Sequence, residues 1–506
     1  MLIHIGIIFI TEKQIKNMKS YITYTMLTLI LLLLHSCKET VTIVETKDDV
    51  PTLFPDYAGV TVPATIAPLN FTVKEEFSKI DALIEGSLYG SLHVQGRKSV
   101  EFPKNKWMEL LRENNQGVLN ITVSIKTDKG WIRYAPFQIY VSPFPIDYSL
   151  TYRLIAPGYE LYSSMGIYQR DLSSFSQTAL IENTILPGSC LNCHSFCAGN
   201  PEQMSMHIRG THGATMIMNG KAIELYETKT EQTGLSCVYP YWHPSGKYIA
   251  YSVNSTQQIF HTALNKRIEV LDLKSDLVVY NIETNELFSC PQLSSESEFE
   301  TFPSFSPDGK SLYFCTADKR AIPDELDSIK YNLCRIDFDP KNGTFGQTVD
   351  TLVSAKEWNK SVSFPRPSYD GKYLMYTLSD YGNFSIWHKE ADLWLLNLET
   401  NETRELNEVN SDDVESYHSW STNSRWFVFS SRRLDGLYTR PFIASINDDG
   451  TVTKPFLLPQ NDVEYYSDLL YSFNIPEFVS APVDLNIRQL EKKALSEERI
   501  KFKYKD

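Results

Sequence analysis

The sequence predicts an all-β protein in which a small β-sandwich precedes a β-propeller of about six blades, with a short charged C-terminal tail. Short alternating runs of apolar and polar residues, broken by Gly, Pro and Asn, fill residues 56–145. After them, a unit of aromatic residue, tight turn and strand recurs at intervals of about 60 residues, a period typical of propeller blades with long outer loops. The 29 Tyr and 26 Phe favour sheet packing.

Residues 1–36 have the composition of a lipoprotein signal peptide. Lysines precede an apolar run at 26–34 that is too short for a comfortable transmembrane helix. The following Leu34-His35-Ser36-Cys37 resembles the bacterial lipobox, although His at the middle position departs from the usual residue. Cys37 is therefore expected to carry the lipid, and an uncleaved signal anchor is the alternative. Both predict a cell-envelope location, with an outer-membrane lipoprotein facing the periplasm or the cell surface as the expected form.

Residues 37–55 are polar and acidic, and they predict a tether. Residues 56–145 predict a β-sandwich of immunoglobulin-like type, with Trp131 as a candidate core aromatic and one short helix within 103–114. Two alternating runs are strand candidates, 119–125 and 137–141. No residue of this region points to chemistry.

Residues 146–485 contain the internal repeat. Its four clearest units begin at Tyr239, Phe302, Phe364 and Tyr417. Each unit continues with a turn related to S-P-D-G-K and an alternating strand. Gly246, Gly309 and Gly371 are expected to supply the positive φ angle of that turn. The fourth unit lacks both the Pro and the Asp-Gly.

The motif C-x-x-C-H at 190–194 predicts covalent haem c, for electron transfer or sensing. This spacing lets the thiols of Cys190 and Cys193 reach the vinyl groups of one porphyrin, and His194 can then ligate the iron. The segment 188–212 is expected to be an insert in the propeller. Candidate sixth ligands follow the motif: Met206, His207 and His212.

Two simpler hypotheses compete with haem. Methionines fill irregular core gaps far more often than they bind iron. In the clasp at 190–197, a zinc site could use Cys190, Cys193, Cys197 and His212, or Cys190 and Cys193 could form a loop-stapling disulfide.

The repeats resemble the WD-like propeller repeat of the TolB type over about residues 146–485. With the lipobox and the C-x-x-C-H motif, the chain resembles a group of Gram-negative envelope lipoproteins sometimes labelled cytochrome-c-like. The repeat implies a fold and not an activity, because it serves scaffolds, peptidase gates and periplasmic adaptors alike.

Enzyme activity is left uncertain, and its absence is favoured. No G-x-S-x-G nucleophile elbow exists, and too few residues follow the blades for an α/β-hydrolase domain. No catalytic residue is assigned. His388 and His418 either line the central channel or make hydrogen bonds between blades. The second interpretation is favoured, because a buried polar group needs a hydrogen-bond partner.

The net charge of −14 argues against binding to nucleic acid and to anionic lipid. Membrane association is expected from the lipid on Cys37 alone, with a protein partner in the envelope. Residues 486–506 are highly charged, with a weak helical stripe of Leu490, Ala494 and Ile500. This tail is expected to be a solvated helix or a frayed end.

Overall fold

The computed structural model describes residues 40–156, 164–260, 268–496 and 498–505. They form an N-terminal β domain packed against a six-bladed propeller. The leader and Cys37 lie outside these residues, so the lipid anchor stays a prediction. Within the described ranges, no helix has the length and apolar character needed to cross a membrane.

The N-terminal domain has one seven-stranded mixed sheet and one two-stranded sheet. The seven strands are Ile43–Thr46, Thr61–Pro63, Lys79–Gly86, Ser91–Gly96, Val118–Thr127, Gly130–Arg133 and Phe137–Ser142. The small sheet pairs Leu53–Phe54 with Thr72–Val73. The immunoglobulin-like sandwich stays a prediction. Part of the expected tether differs, because Ile43–Thr46 pairs in parallel with Gly130–Arg133.

The helix Lys104–Glu113 lies within the expected 103–114 segment. Trp107, Leu110 and Leu111 share one face of it, at the spacing of an amphipathic helix, and all are buried. The Trp107 indole donates to the Ile66 carbonyl at 3.1 Å, and its ring stacks on Phe102 at 4.9 Å. Trp107 is thus the central aromatic of this core.

The propeller consists of six sheets, each built on four antiparallel strands. The four strands are consecutive in the chain in every blade except blade 1, and each blade is given below from its inner strand outward. Blade 1 contains Ser472–Val479, Ser149–Ile155, Met165–Asp171 and Gln177–Glu182. Blade 2 contains Ser189–Phe196, Gln203–Gly210, Ala214–Asn219 and Ala222–Glu227. Blade 3 contains Val238–Trp242, Tyr248–Phe260, Ile268–Asn281 and Glu286–Phe288.

The remaining blades follow the same order. Blade 4 contains Glu298–Phe305, Ser311–Asp318, Asn332–Asp339 and Thr344–Val353. Blade 5 contains Ser361–Pro367, Tyr373–Ser379, Asp392–Asn397 and Thr403–Glu405. Blade 6 contains Glu415–Trp420, Trp426–Ser431, Arg440–Ser445 and Phe456–Leu457. Short helices at Ala355–Trp358 and Tyr465–Asp468 lie in connections.

The predicted six-blade arrangement is confirmed, but two blades are composed differently from the expectation. The strands before Cys190 and the strand Ser472–Val479 belong to the same blade, which closes the ring. Residues 189–227 form a complete blade, so the expected insert at 188–212 is wrong. The sequence hid this blade because its first hairpin lacks an S-P-D-G-K-like turn.

The turn glycines adopt the expected backbone. Gly246, Gly309 and Gly371 have φ of 70°, 71° and 73°. In the fourth unit Ser424 takes the same place at φ 60°. There the Ser421 hydroxyl donates to Asn423 at 2.7 Å, as Ser306 donates to Asp308 at 2.6 Å in blade 4. Asn therefore replaces Asp in a turn of the same construction.

Replacing Gly309 by Val should destabilise the protein by about 1–3 kcal/mol for the strained backbone alone. A further loss is expected because a Cβ at Gly309 would overlap the His243 ring. Gly371→Val is the matched control, since Gly371 also has positive φ but a Cβ there meets nothing within 4 Å. In urea unfolding, the midpoint of Gly309→Val should lie below the midpoint of Gly371→Val. Equal midpoints would contradict the packing of Gly309 on His243.

The C-terminal tail is packed, which corrects the expectation of a solvated end. The helix Ile487–Leu495 buries Leu490 and Ala494 against blade 2. Beyond it, Ile500–Lys501 extends the sheet of blade 2 and Lys503–Tyr504 that of blade 3. Phe502 stacks on Tyr280 of blade 3 at 3.8 Å. Ile500 therefore lies in a strand and not on the helical stripe.

Candidate functional site

Each inner strand carries one non-glycine residue in the left-handed backbone region, at a break in the strand register. These bulge positions are Cys193, Tyr239, Phe302, Phe364, Tyr417 and Ile475, with φ from 49° to 52°. A bulge interrupts the regular alternation of side chains along the strand, so the side chain there points in a different direction. The six positions are equivalent around the channel, and Cys193 is the contribution of blade 2.

Aromatic rings at these positions fill the middle of the channel. Tyr239 contacts Phe302 at 5.0 Å between ring centroids, Phe302 contacts Phe364 at 4.0 Å, and Phe364 contacts Tyr417 at 5.0 Å. Phe384 joins them at 6.1 Å from Phe302. This aromatic plug divides the channel into two ends with different chemistry.

One end is a cavity of about 60 Å³, which we name the channel pocket. Its polar lining comes mainly from the two residues that follow the bulge positions. The pocket includes His194, Ser195, Tyr241, Arg366, Tyr369, His418, Ser419 and Glu477. Five blades contribute to this set, so the pocket exists only in the closed ring.

His194 is 3% exposed, and its Nε2 has no hydrogen-bond partner among the described residues. Burial and then the charge of Arg153 lower the His194 pKa to about 3, against the backbone groups of Thr151 and Ile475. The ring is therefore neutral. An unpaired buried polar atom costs free energy, so His194 is an unsatisfied residue at the border of the pocket.

His418 has a structural role that the sequence indicated. Its Nε2 lies 3.0 Å from the Met375 carbonyl, which joins blade 6 to blade 5. Burial lowers the His418 pKa to about 3. The hydrogen bond between blades is therefore present, although the ring also borders the pocket.

Arg366 and Glu477 bring opposite charges to the pocket from different blades. Arg366 Nη1 donates to the Pro365 carbonyl at 2.9 Å, and its guanidinium lies 5.2 Å from the Tyr241 ring centroid. Within the described residues Arg366 forms no ion pair. The Glu477 oxygens accept the Phe196 N–H at 3.1 and 3.2 Å. Burial raises the Glu477 pKa to about 8, although Phe196 and Arg366 oppose this rise.

The other end of the channel is covered by the long hairpin of blade 3. Glu269 on this hairpin lies 2.8 Å from His388 Nε2 of blade 5 and accepts the Tyr381 hydroxyl at 2.8 Å. Asp272 accepts the Asn383 amide at 2.6 Å. We call these five residues the hairpin latch. His388 thus also joins two blades, as its buried position indicated.

The haem and zinc candidates do not converge on one centre. Met206 is fully buried in the apolar cluster between blades 1 and 2, as a core methionine. His207 follows it on the strand, with Nδ1 3.2 Å from the Thr215 hydroxyl. His212 lies in the turn after Gln203–Gly210, where its N–H bonds Ser189 at 3.3 Å. Adjacent strand residues face opposite sides, which separates these groups.

The thiols belong to the blade and not to a separate clasp. Cys190 and Cys193 are 8% and 3% exposed on an inner strand, and the Cys197 sulfur lies 3.6 Å from the His243 carbonyl. All seven cysteines of the described ranges are free thiols. Those ranges hold no group of three His, Cys, Asp or Glu residues able to bind a metal ion.

A haem does not fit this arrangement. Covalent attachment needs both thiols at one edge of the porphyrin with the imidazole beneath the ring. In this protein Cys190, Cys193 and His194 lie on one inner strand and all three are buried. The space beside His194 is about 60 Å³, room for about four waters and not for a porphyrin.

Sequence reasoning missed Arg366 and Glu477, although a signal for Arg366 exists. The tripeptide Cys193-His194-Ser195 has the same place in its blade as Tyr417-His418-Ser419. When the six inner strands are aligned on their bulge positions, Arg366 is the only one of the six residues at the third position of this tripeptide that is a cation. Glu477 lies beyond the last repeat unit, in the closing strand.

Comparison with known proteins gives a fold-level likeness only. No protein-family model and no curated protein matches the chain. Among solved structures, it is similar to prolyl oligopeptidase B from Galerina marginata, at 10% identity over 67% of this chain and 42% of that one, with a TM-score of 0.34. A DUF4784 family protein from Bacteroides caccae matches at 10% identity over 71% and 95%, with a TM-score of 0.30.

The tricorn protease matches at 10% identity over 78% of this chain and 43% of that one, with a TM-score of 0.29. The chain thus spans less than half the length of these two proteases.

Proposed function

We propose that this protein is a non-enzymatic, lipid-anchored β-propeller of the cell envelope that binds a small ligand in its channel pocket. The channel pocket supports this proposal, because it brings Arg366, which forms no ion pair with a described residue, and the Glu477 carboxyl to one space. Ligand sites are typically concave and lined by aromatic side chains with a few placed polar groups. The aromatic plug supplies the base of such a site.

The pocket hydroxyls do not form a hydrolase arrangement. The Ser419 hydroxyl donates to the Pro476 carbonyl at 2.8 Å, and His194 Nε2 receives no hydrogen bond within the described residues. A nucleophile needs a base within hydrogen-bond reach. Binding is therefore favoured over catalysis. A protein partner in the envelope remains part of the proposal.

Filling the pocket tests the binding function. Ser419→Tyr places a large ring at a position where blade 3 has Tyr241 and blade 5 has Arg366, so the backbone there accommodates bulk. We expect this variant to abolish stabilisation by small-molecule probes in thermal unfolding, whereas Ser328→Tyr, at an exposed site, leaves it intact. Binding that survives in Ser419→Tyr would place the ligand elsewhere.

The lipid anchor rests on the sequence Leu34-His35-Ser36-Cys37. Replacing Cys37 by Ala should release the protein from membranes or leave the precursor unprocessed, because no thiol remains to accept the lipid. Fractionation and intact mass measure both outcomes. Unchanged mass together with membrane retention would rule out the lipobox.

Covalent haem is the second candidate, carried by the motif Cys190-Leu191-Asn192-Cys193-His194 alone. Protein purified from its native envelope should lack a Soret band and a haem peroxidase stain if the channel-pocket proposal is right. Zinc analysis of the parent and of Cys197→Ser tests the other alternative, because a zinc site using Cys197 would lose its metal. A Soret band that persists under denaturing electrophoresis would overturn the binding proposal in favour of a cytochrome.

A further inference from the structure

We propose that the ligand of the channel pocket is a small carboxylate with a neighbouring N–H or O–H donor. A free amino acid and the carboxyl terminus of a peptide both have this chemistry. The inference rests on the proposed binding function and adds the ligand class. It follows from three features of the pocket: the donors of Arg366, the carboxyl acceptor of Glu477, and the size of the space.

Arg366 supplies the carboxylate contact. A guanidinium has five N–H donors in a planar fork, and one described bond, to the Pro365 carbonyl, engages Nη1. The Tyr241 ring, 5.2 Å from the guanidinium, packs against it. Arg366 lines the pocket without an ion pair to any described residue. A carboxylate matches the fork with two parallel hydrogen bonds and neutralises the charge.

Glu477, on blade 1, selects what stands beside the carboxylate. Its carboxyl oxygens accept the Phe196 N–H at 3.1 and 3.2 Å, and a carboxyl group has further acceptor capacity. An N–H or O–H of the ligand beside its carboxylate supplies the donor for this capacity. Burial raises the Glu477 pKa to about 8, so near neutral pH this carboxyl does not oppose the ligand carboxylate with a full negative charge.

The size of the pocket limits the part of the ligand that enters. About 60 Å³ admits only a few non-hydrogen atoms. The aromatic plug closes the far side, where Phe302 and Phe364 stack at 4.0 Å. The occupant is therefore a very small molecule, or the end of a chain whose remainder stays outside.

Calorimetry on the full mature protein tests the ligand class with four probes: glycine, N-acetylglycine, acetate and ethanolamine. We expect one of the first two to bind, acetate to bind about tenfold more weakly, and ethanolamine not to bind. Preference for glycine indicates a free amino acid, and preference for N-acetylglycine indicates a peptide terminus. Ethanolamine binding as tightly as glycine would overturn the inference.

Variants separate the contacts. Arg366→Met should weaken binding by about tenfold or more, and Arg366→Lys by less, because Lys keeps the charge without the fork. Glu477→Met should remove the preference for glycine or N-acetylglycine over acetate, because it removes the carboxyl acceptor. Arg335→Met is the control, since Arg335 pairs with Asp350 on blade 4, away from the pocket.

The failure of the inference and the failure of the proposed function give different results. A folded Arg366→Met that binds as the parent does would overturn the carboxylate assignment and keep a channel ligand. If Arg366→Met does not fold, Arg366→Lys and Glu477→Met decide the same question. If neither the four probes nor a panel of neutral and cationic compounds binds the parent, both the inference and the binding function are wrong.

Discussion

Replacing His388 by Ala should destabilise the fold by about 3–5 kcal/mol, because the variant leaves the Glu269 carboxylate buried beside an empty space. The side chains of His388 and Glu269 are 4% and 3% exposed, and their closest atoms are 2.8 Å apart. Removing one partner of a buried pair exposes the full desolvation cost of the other. Urea unfolding of the variant and the parent measures the difference.

The control is Lys247→Met. Lys247 lies 2.9 Å from Glu283, but their side chains are 53% and 60% exposed, so its loss should cost about 0–1 kcal/mol. The double variant Glu269→Gln/His388→Gln should recover part of the stability because neither partner of the pair is then charged. Equal effects at His388 and Lys247 would show that the hairpin latch does not hold the hairpin.

The His388 pair also predicts a pH dependence. Burial alone would lower the His388 pKa, but hydrogen bonds to Glu269 and Glu390 raise it to about 9, above its ordinary value of 6.5. A raised histidine pKa contributes stability that is fully present below about pH 6.5 and is lost as the pH rises through 9. The parent should therefore lose stability over this interval relative to the double variant. Parallel pH profiles would contradict the pairing.

Replacing Arg433 by Met should cost a similar 3–5 kcal/mol in blade 6. Glu415 is fully buried, and its Oε1 accepts from Arg433, Ser431 and Ser411, each at 2.7 Å. The hydroxyls alone cannot replace the positive charge. The unfolding midpoint should fall accordingly, and Glu415→Gln/Arg433→Met should restore part of it.

Arg335→Met provides the comparison for Arg433. Arg335 and Asp350 are also 2.7 Å apart, but their side chains are 39% and 57% exposed. Solvent screens such a pair, and its loss should cost about 0–1 kcal/mol. If both variants lose the same stability, burial is not what makes the Arg433 pair strong.

The blade repeat could be predicted because local residues determine it. The turn at Asp308-Gly309 satisfies its own hydrogen bonds, and φ at Gly309 follows from its lack of a Cβ. Blade number was also accessible from the period of the repeat. The composition of blade 1 was not, because the pairing of Ser472–Val479 with Ser149–Ile155 joins distant parts of the chain. No local pattern specifies such a pairing.

The candidate site shows the same division. The motif at 190–194 lies at the channel pocket, since Cys193 and His194 line it. Its interpretation as a haem site assumed that the motif lies in a helix or a loop. In the structure, the motif lies in a bulged inner strand. Arg366 and Glu477 come together only when five blades meet around one axis. Their proximity is a product of tertiary structure, which residue spacing does not report.

The closure of blade 1 by Ser472–Val479 also bears on how the protein reaches its native state. The strands of this blade are separated by more than three hundred residues of sequence, so the ring has a high contact order. Loop-closure entropy must be offset before that pairing forms, which slows folding. Until residue 479 is available, the strand Ser149–Ile155 presents an open edge to other chains. The chain is thus most exposed to misassembly until residues 472–479 have been synthesised, and their pairing closes the whole ring at once.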